Sequence, residues 1–190
     1  MMAKKAFMGA VLLVLLPGIA VGETVVSAAG GVFTPYSGST GFSGVVQVLS
    51  ALTDSNLRVG GEIEYRGYKT EIFDVDDVGI DTISLRAVVQ YVLLKEPIRP
   101  YIGAGLGLGF NIIDGDKVEE ERDDLSIITD FGVGVGVLGL VGVEVPLGQT
   151  VALFAEARAG ADFQLTGESG ELDAVNLGGV SGLGGIRFRF

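Results

Sequence analysis

Two carboxylates and two guanidiniums sit within nine residues of one another as Arg58, Glu62, Glu64 and Arg66, all at even positions. Side chains two apart share a face of a strand. A carboxylate pair on one face can do acid–base work when one member is held protonated. Flanking arginines favour the ionised form of both, so ion pairing is the plainer reading. Further polar side chains recur with the same spacing: Arg86 with Gln90, Glu156 with Arg158, Arg187 with Arg189, and Tyr101 and Asp130 in segments of their own. Other chemistries are excluded by composition. The chain has no histidine and no cysteine, which removes the imidazole base, Ser-His-Asp and Cys-His machinery, thiolate metal sites, disulfides and a lipidated cysteine. No catalytic, cofactor-binding or metal-binding residue is therefore assigned, and the expectation is a non-enzyme without cofactors. With 13 basic against 24 acidic residues and a net charge of −11, nucleic acid is not an expected partner, because phosphate neutralisation needs clustered Lys and Arg.

These residues lie in segments of period two. From Arg58 to Lys69 the charged positions alternate with Val59, Gly61, Ile63, Tyr65 and Gly67; from Thr82 to Leu93, Arg86 and Gln90 oppose Ile83, Leu85, Ala87, Val89 and Tyr91. Ile102 to Phe110 alternates with Tyr101 and Gly103, Gly105, Gly107 and Gly109. From Leu125 to Val145 odd apolar residues alternate with Asp130, Gly132, Gly134, Gly136 and Glu144. Val151 to Asp162 and Ile186 to Phe190 repeat the pattern, and about 24–34 and 42–52 show it less cleanly. A helix would scatter these faces. A glycine-rich membrane helix over Phe131 to Val143 is too short, and its glycines fall on every second residue rather than every fourth. Eight strands are expected.

Alternation by itself does not say which face points inward. The connections between strands do, being read as alternately long and short: about 35–41, Thr53 to Asn56, about 70–80, Lys95 to Ile98, about 111–124, Pro146 to Gln149 and about 164–175. Short turns at one end and long loops at the other, with an even strand number, are the plan of a bacterial membrane barrel. A sheet that crosses a bilayer must close so that no edge is left unpaired. The predicted fold is all-β: an eight-stranded antiparallel up-and-down transmembrane β-barrel with apolar side chains outward. Arg58, Glu62, Glu64, Arg66, Arg86, Gln90, Tyr101, Asp130, Glu156, Arg158, Arg187 and Arg189 then form a polar network in its interior. The inward glycines leave room that long side chains from across the barrel are expected to fill.

The long connections carry Glu71, Asp74, Asp76 and Asp77, seven acids between Asp114 and Asp124, and Glu168, Glu171 and Asp173. The plain reading is a solvated loop set. The sharper one is weak binding of divalent cations that bridge to lipopolysaccharide, since carboxylate oxygens suit calcium and magnesium. Asp114-Gly115-Asp116 lacks the spacing of a calcium loop, so no tight site is expected. At the other extreme of polarity, Lys4 and Lys5 precede the apolar stretch Ala10 to Ile19, and Ala20-Val21-Gly22 offers a small-residue cleavage site. Residues 1–22 read as a cleaved secretory signal peptide and 23–190 as the barrel domain.

The segments Gly30-Gly31-Val32-Phe33-Thr34-Pro35, Arg99 to Phe110, Gly139 to Leu147 with Val151 to Arg158, and the ending Ile186-Arg187-Phe188-Arg189-Phe190 resemble the small eight-stranded outer-membrane proteins, the broad group of the OmpA transmembrane domain, OmpX and OmpW-type barrels. The resemblance covers most of residues 23–190, although the aromatic girdle is thin and lacks tryptophan. It implies the cell outer membrane of a Gram-negative envelope, with outer-membrane lipid and lipopolysaccharide as surroundings and a monomer as the expected state. It also implies that Ile186, Phe188 and Phe190 form the signal read by the outer-membrane assembly machinery. Two functions follow as expectations: a structural or surface-interaction component of the envelope, or a narrow porin-like channel or transporter for small solutes. A soluble lipocalin-type barrel would need the two faces exchanged.

Overall fold

The computed structural model describes residues 22–53, 55–72, 75–95, 97–113, 131–166 and 173–190. Residues 1–21, where the signal peptide is read, lie outside the described residues, as do 114–130, which hold the second acidic stretch and the start of the strand expected from Leu125.

The strands are β1 (Thr24–Pro35), β2 (Ser39–Ala51), β3 (Leu57–Ile72), β4 (Val75–Val92), β5 (Arg99–Ile113), β6 (Phe131–Pro146), β7 (Val151–Thr166), β8 (Asp173–Asn176) and β9 (Gly179–Arg189). Each pairs antiparallel with its neighbour in sequence from β1 to β7. β7 then pairs with both β8 and β9, and β9 returns to β1. β8 and β9 are therefore one stave interrupted at Leu177 and Gly178, and the sheet is a closed eight-stranded up-and-down barrel. Closure runs from Val25 opposite Arg189 to Pro35 opposite Gly179. At the base, Thr24 and Phe190 exchange backbone hydrogen bonds of 3.0 and 2.9 Å.

The upper end differs from the expected pattern of long loops. The first connection is only the turn Tyr36 to Gly38, where Gly38 adopts φ 112°, a conformation open to glycine. The region 70–80 is mostly strand: β3 and β4 continue until Ile72 stands opposite Val75. Its acids suggest a loop, yet Tyr68, Val78 and Ile80 hold the inward parity and are buried. Backbone pairing thus continues above the apolar belt despite the acidic sequence of this hairpin. β7 likewise extends to Thr166, and β8 occupies part of the expected fourth loop.

The outer wall is apolar, with Val46, Val89, Ile102, Leu106, Leu108, Val135, Val137, Val141, Leu153 and Ile186 all exposed. Along β4 and the residue that follows it, this belt runs from Leu93 back to Ile83, a span matching the roughly 9–11 residues that a tilted strand needs to cross the hydrocarbon layer. Just above it is the outward carboxylate of Asp81, which accepts a 2.6 Å hydrogen bond from Tyr65 Oη. Inside, the glycine rows face bulky neighbours. A Cβ on Gly142 would lie 2.3 Å from the Tyr101 ring, and one on Gly136 would collide with the Asp162 carboxylate. On the outer wall a Cβ on Gly139 meets only the Ala159 carbonyl oxygen, at 3.9 Å.

This asymmetry predicts that Gly142→Val destabilises the barrel by about 1–3 kcal/mol, the usual cost of overpacking, while Gly139→Val stays within about 0.5 kcal/mol. Equilibrium urea unfolding in lipid vesicles measures both.

Candidate functional site

Every strand of the barrel sends alternate side chains into the lumen, and the charged ones meet there. Six arginines (Arg58, Arg66, Arg86, Arg158, Arg187, Arg189) and five carboxylates (Glu62, Glu64, Glu144, Glu156, Asp162) are buried among the described residues. They divide into two tiers.

The upper tier is centred on Arg86 of β4. Its guanidinium contacts Glu64 directly, Glu62 at 3.3 Å and Asp162 at 3.3 Å. Arg66 also pairs with Asp162, through the same Oδ2 oxygen that Arg86 approaches. Arg158 grips Glu62 through both terminal nitrogens at 3.2 and 3.1 Å. Neutral donors complete the carboxylates: Ser43 Oγ donates to Glu64 and Gln47 Nε2 to Glu62, each at 2.8 Å. Geometry of this kind is what offsets the desolvation of a buried pair.

The lower tier gathers at the short-turn end. Arg58 and Arg187 approach the same oxygen of Glu144 at 3.0 and 2.9 Å; Arg189 contacts the other oxygen and Arg99 lies 3.7 Å from it. The Arg187 guanidinium carbon sits 4.5 Å from the Tyr101 ring centroid and 4.4 Å from that of Phe154. Tyr101 Oη accepts from Arg187 at 3.1 Å and donates to Glu156 at 2.9 Å. Arg158, which also pairs with Glu156, joins the two tiers.

Apolar side chains complete the filling. Above the ion pairs Phe33 and Tyr68 pack with ring centroids 4.8 Å apart, joined by buried Val78, Ile80 and Leu177. To one side Val88, Val92, Leu138 and Leu140 form a cluster with Val25, Leu49 and Tyr101. A void lined by Glu64, Arg66, Arg86, Arg158 and Asp162 measures about 10 Å³, at the lower edge of what one water requires.

Of the residues singled out in the sequence, Arg58, Glu62, Glu64, Arg66, Arg86, Tyr101, Glu156, Arg158, Arg187 and Arg189 lie in this lumen. Gln90 is there too, fully buried, with neither amide atom hydrogen bonded. Asp130 lies outside the described residues. Ile186, Phe188 and Phe190 face outward, with Phe190 79% exposed. Sequence reasoning left Glu144 and Asp162 out of the network, although each shares parity with inward residues of its own strand. It also left out Ser27, Ser43 and Gln47, whose strands alternate small polar with apolar residues too weakly to signal a face, and Asn111, which shares the inward parity of the β5 glycines.

No protein-family model matches the chain, and no curated protein is similar to it in sequence. Solved structures are similar to it in fold. Neisserial surface protein A superposes with a TM-score of 0.61 at 22% identity, over 90% of this chain and 99% of that one. The outer membrane protein OprG from Pseudomonas aeruginosa gives 0.58 at 11%, over 90% and 97%. The E. coli outer membrane protein W gives 0.55 at 16%, over 90% and 99%.

Removing one cation from the upper tier would leave three buried carboxylates short of a partner. Arg86→Met is expected to cost about 3–5 kcal/mol, whereas Asp81→Asn at the exposed outer pair costs no more than about 1 kcal/mol. The shift in urea midpoint reads both. With charges inside, apolar residues outside and eight staves closed into a ring, the chain has the fold of the small eight-stranded outer-membrane barrels.

Proposed function

We propose that this chain is a non-enzymatic outer-membrane barrel of a Gram-negative envelope whose lumen is closed and whose work is done at its surface. The observation that carries this reading is the filled interior: two tiers of ion pairs under an apolar cap, with a void of only about 10 Å³ among the charges of the upper tier. A hydrated ion has no room to pass such a plug without breaking several charged contacts. The absence of histidine and cysteine from the sequence and the outer-membrane proteins among the similar structures support the non-enzymatic and outer-membrane parts. The surroundings are outer-membrane lipid and lipopolysaccharide. The outward Ile186, Phe188 and Phe190 suit recognition by the assembly machinery, following export by the signal peptide. The acidic stretch from Asp114 to Asp124, outside the described residues, is the surface candidate, with weak divalent-cation binding as its chemistry.

The second reading, a narrow conduit, is favoured by one observation. A vestibule of about 480 Å³ opens at the short-turn end and reaches Arg58.

Recording from the refolded 23–190 chain in a planar bilayer separates the two. The closed-lumen reading expects no discrete conductance steps from the unaltered protein, and steps only after the paired loss Glu62→Ala with Arg158→Ala. Ion-selective steps from the unaltered barrel would favour the conduit.

A further inference from the structure

Among the described residues the charges of the lower tier do not balance locally. Four guanidiniums, those of Arg58, Arg99, Arg187 and Arg189, converge on the single carboxylate of Glu144. The further acids within reach among the described residues are Glu156, 3.6 Å from Arg187 but already paired with Arg158, and the exposed Glu23, 3.5 Å from Arg189. One carboxylate cannot neutralise four cations, and unbalanced buried charge is costly. The vestibule of about 480 Å³ lies against this cluster. Its charged lining among the described residues is Arg58, Lys95 and Arg99 against Glu23. Arg99 Nε is buried without a hydrogen-bond partner. Gln90, directly across the β3–β4 ladder from Arg58, is buried with both amide atoms unpaired. Asp54 and Glu96, in the same two turns, lie outside the described residues.

We infer that this vestibule is a binding site for a phosphate-type anion, held by Arg58, Arg99 and Lys95. Guanidinium forks match the oxygens of phosphate, and an ammonium adds a compact third charge. The site stands whether or not the lumen conducts, since it opens at the short-turn mouth and ends on the Arg58–Glu144 pair. Two sources share this chemistry. One is a free phosphate compound on the short-turn side. The other is a phospholipid headgroup of the adjoining leaflet, for which the exposed Leu93, Leu94 and Ile98 beside Lys95 and Arg99 supply an apolar approach.

The test uses the isotope-labelled 23–190 barrel refolded in octyl glucoside, a detergent without phosphate. One arm titrates inorganic phosphate; the other dopes the micelles with phosphatidylglycerol. The expected result is a saturable shift of the Asn56, Lys95 and Arg99 amide resonances in at least one arm, weakened about tenfold or more in Lys95→Gln/Arg99→Gln and unchanged in Lys69→Gln at the opposite end. Response to inorganic phosphate identifies a soluble ligand, and response to phosphatidylglycerol alone identifies the lipid headgroup. No saturable shift in either arm, or equal shifts in the double variant with its barrel resonances intact, overturns the proposal.

Discussion

Pairing of β1 with β9 turns a ribbon of hairpins into a ring, and the other features of the molecule follow from that closure. In hydrocarbon an unpaired N–H or C=O costs several kcal/mol, so a sheet can cross only if it has no edge. The ring places side chains on two sides, and period-two geometry makes the assignment along each strand apart from the register shifts near Ser39 and Thr70. Val25 opposite Arg189 and Val26 opposite Phe188 show what the register decides: a slip of one residue would carry Arg187 and Arg189 into the apolar belt.

Eight staves enclose a space that side chains can fill, and the chemistry of the filling is constrained from both sides. Apolar residues on both faces would give long unbroken apolar segments, which resemble helical membrane spans in hydropathy. Polar residues inside avoid that, and because they are out of water they must find partners. Arginine is well matched to such an interior, because one guanidinium reaches several carboxylates, as Arg86 reaches Glu64, Glu62 and Asp162. The long side chains need space opposite them, which glycines provide. Asp162 occupies the position over Gly136, and the Tyr101 ring, held by Arg187, that over Gly142.

Much of this is readable along the chain. Charged or glycine positions alternating with Val, Ile and Leu fix the parity of β3, β5, β6 and β7 without reference to coordinates. The signal fails where both parities are apolar or both polar. Tyr68, Val78 and Ile80 carry the inward face into the upper hairpin, but Glu71, Asp74, Asp76 and Asp77 around them imitate a loop. The Glu144 cluster has a different reason for being hidden. Its arginines come from β3, β5 and β9, and their meeting depends on strand order and register across the ring, to which no local spacing corresponds. The break at Leu177 and Gly178 is equally silent. There the Leu177 amide donates to the Asp162 carbonyl at 2.8 Å and its own carbonyl accepts from Tyr68 Oη at 3.2 Å, so the stave keeps its bonds while leaving ladder geometry.

The central claim is an inverted barrel, with lipid outside and a dry charged plug within. The most direct measurement is a spin-label scan along β6 from Val133 to Val145 in lipid bilayers, comparing accessibility to molecular oxygen with accessibility to a water-soluble nickel chelate. The account predicts strict period two: odd positions open to oxygen, and even positions such as Leu138 and Leu140 shielded from both reagents. Absence of alternation, or even positions open to the nickel chelate, would contradict it.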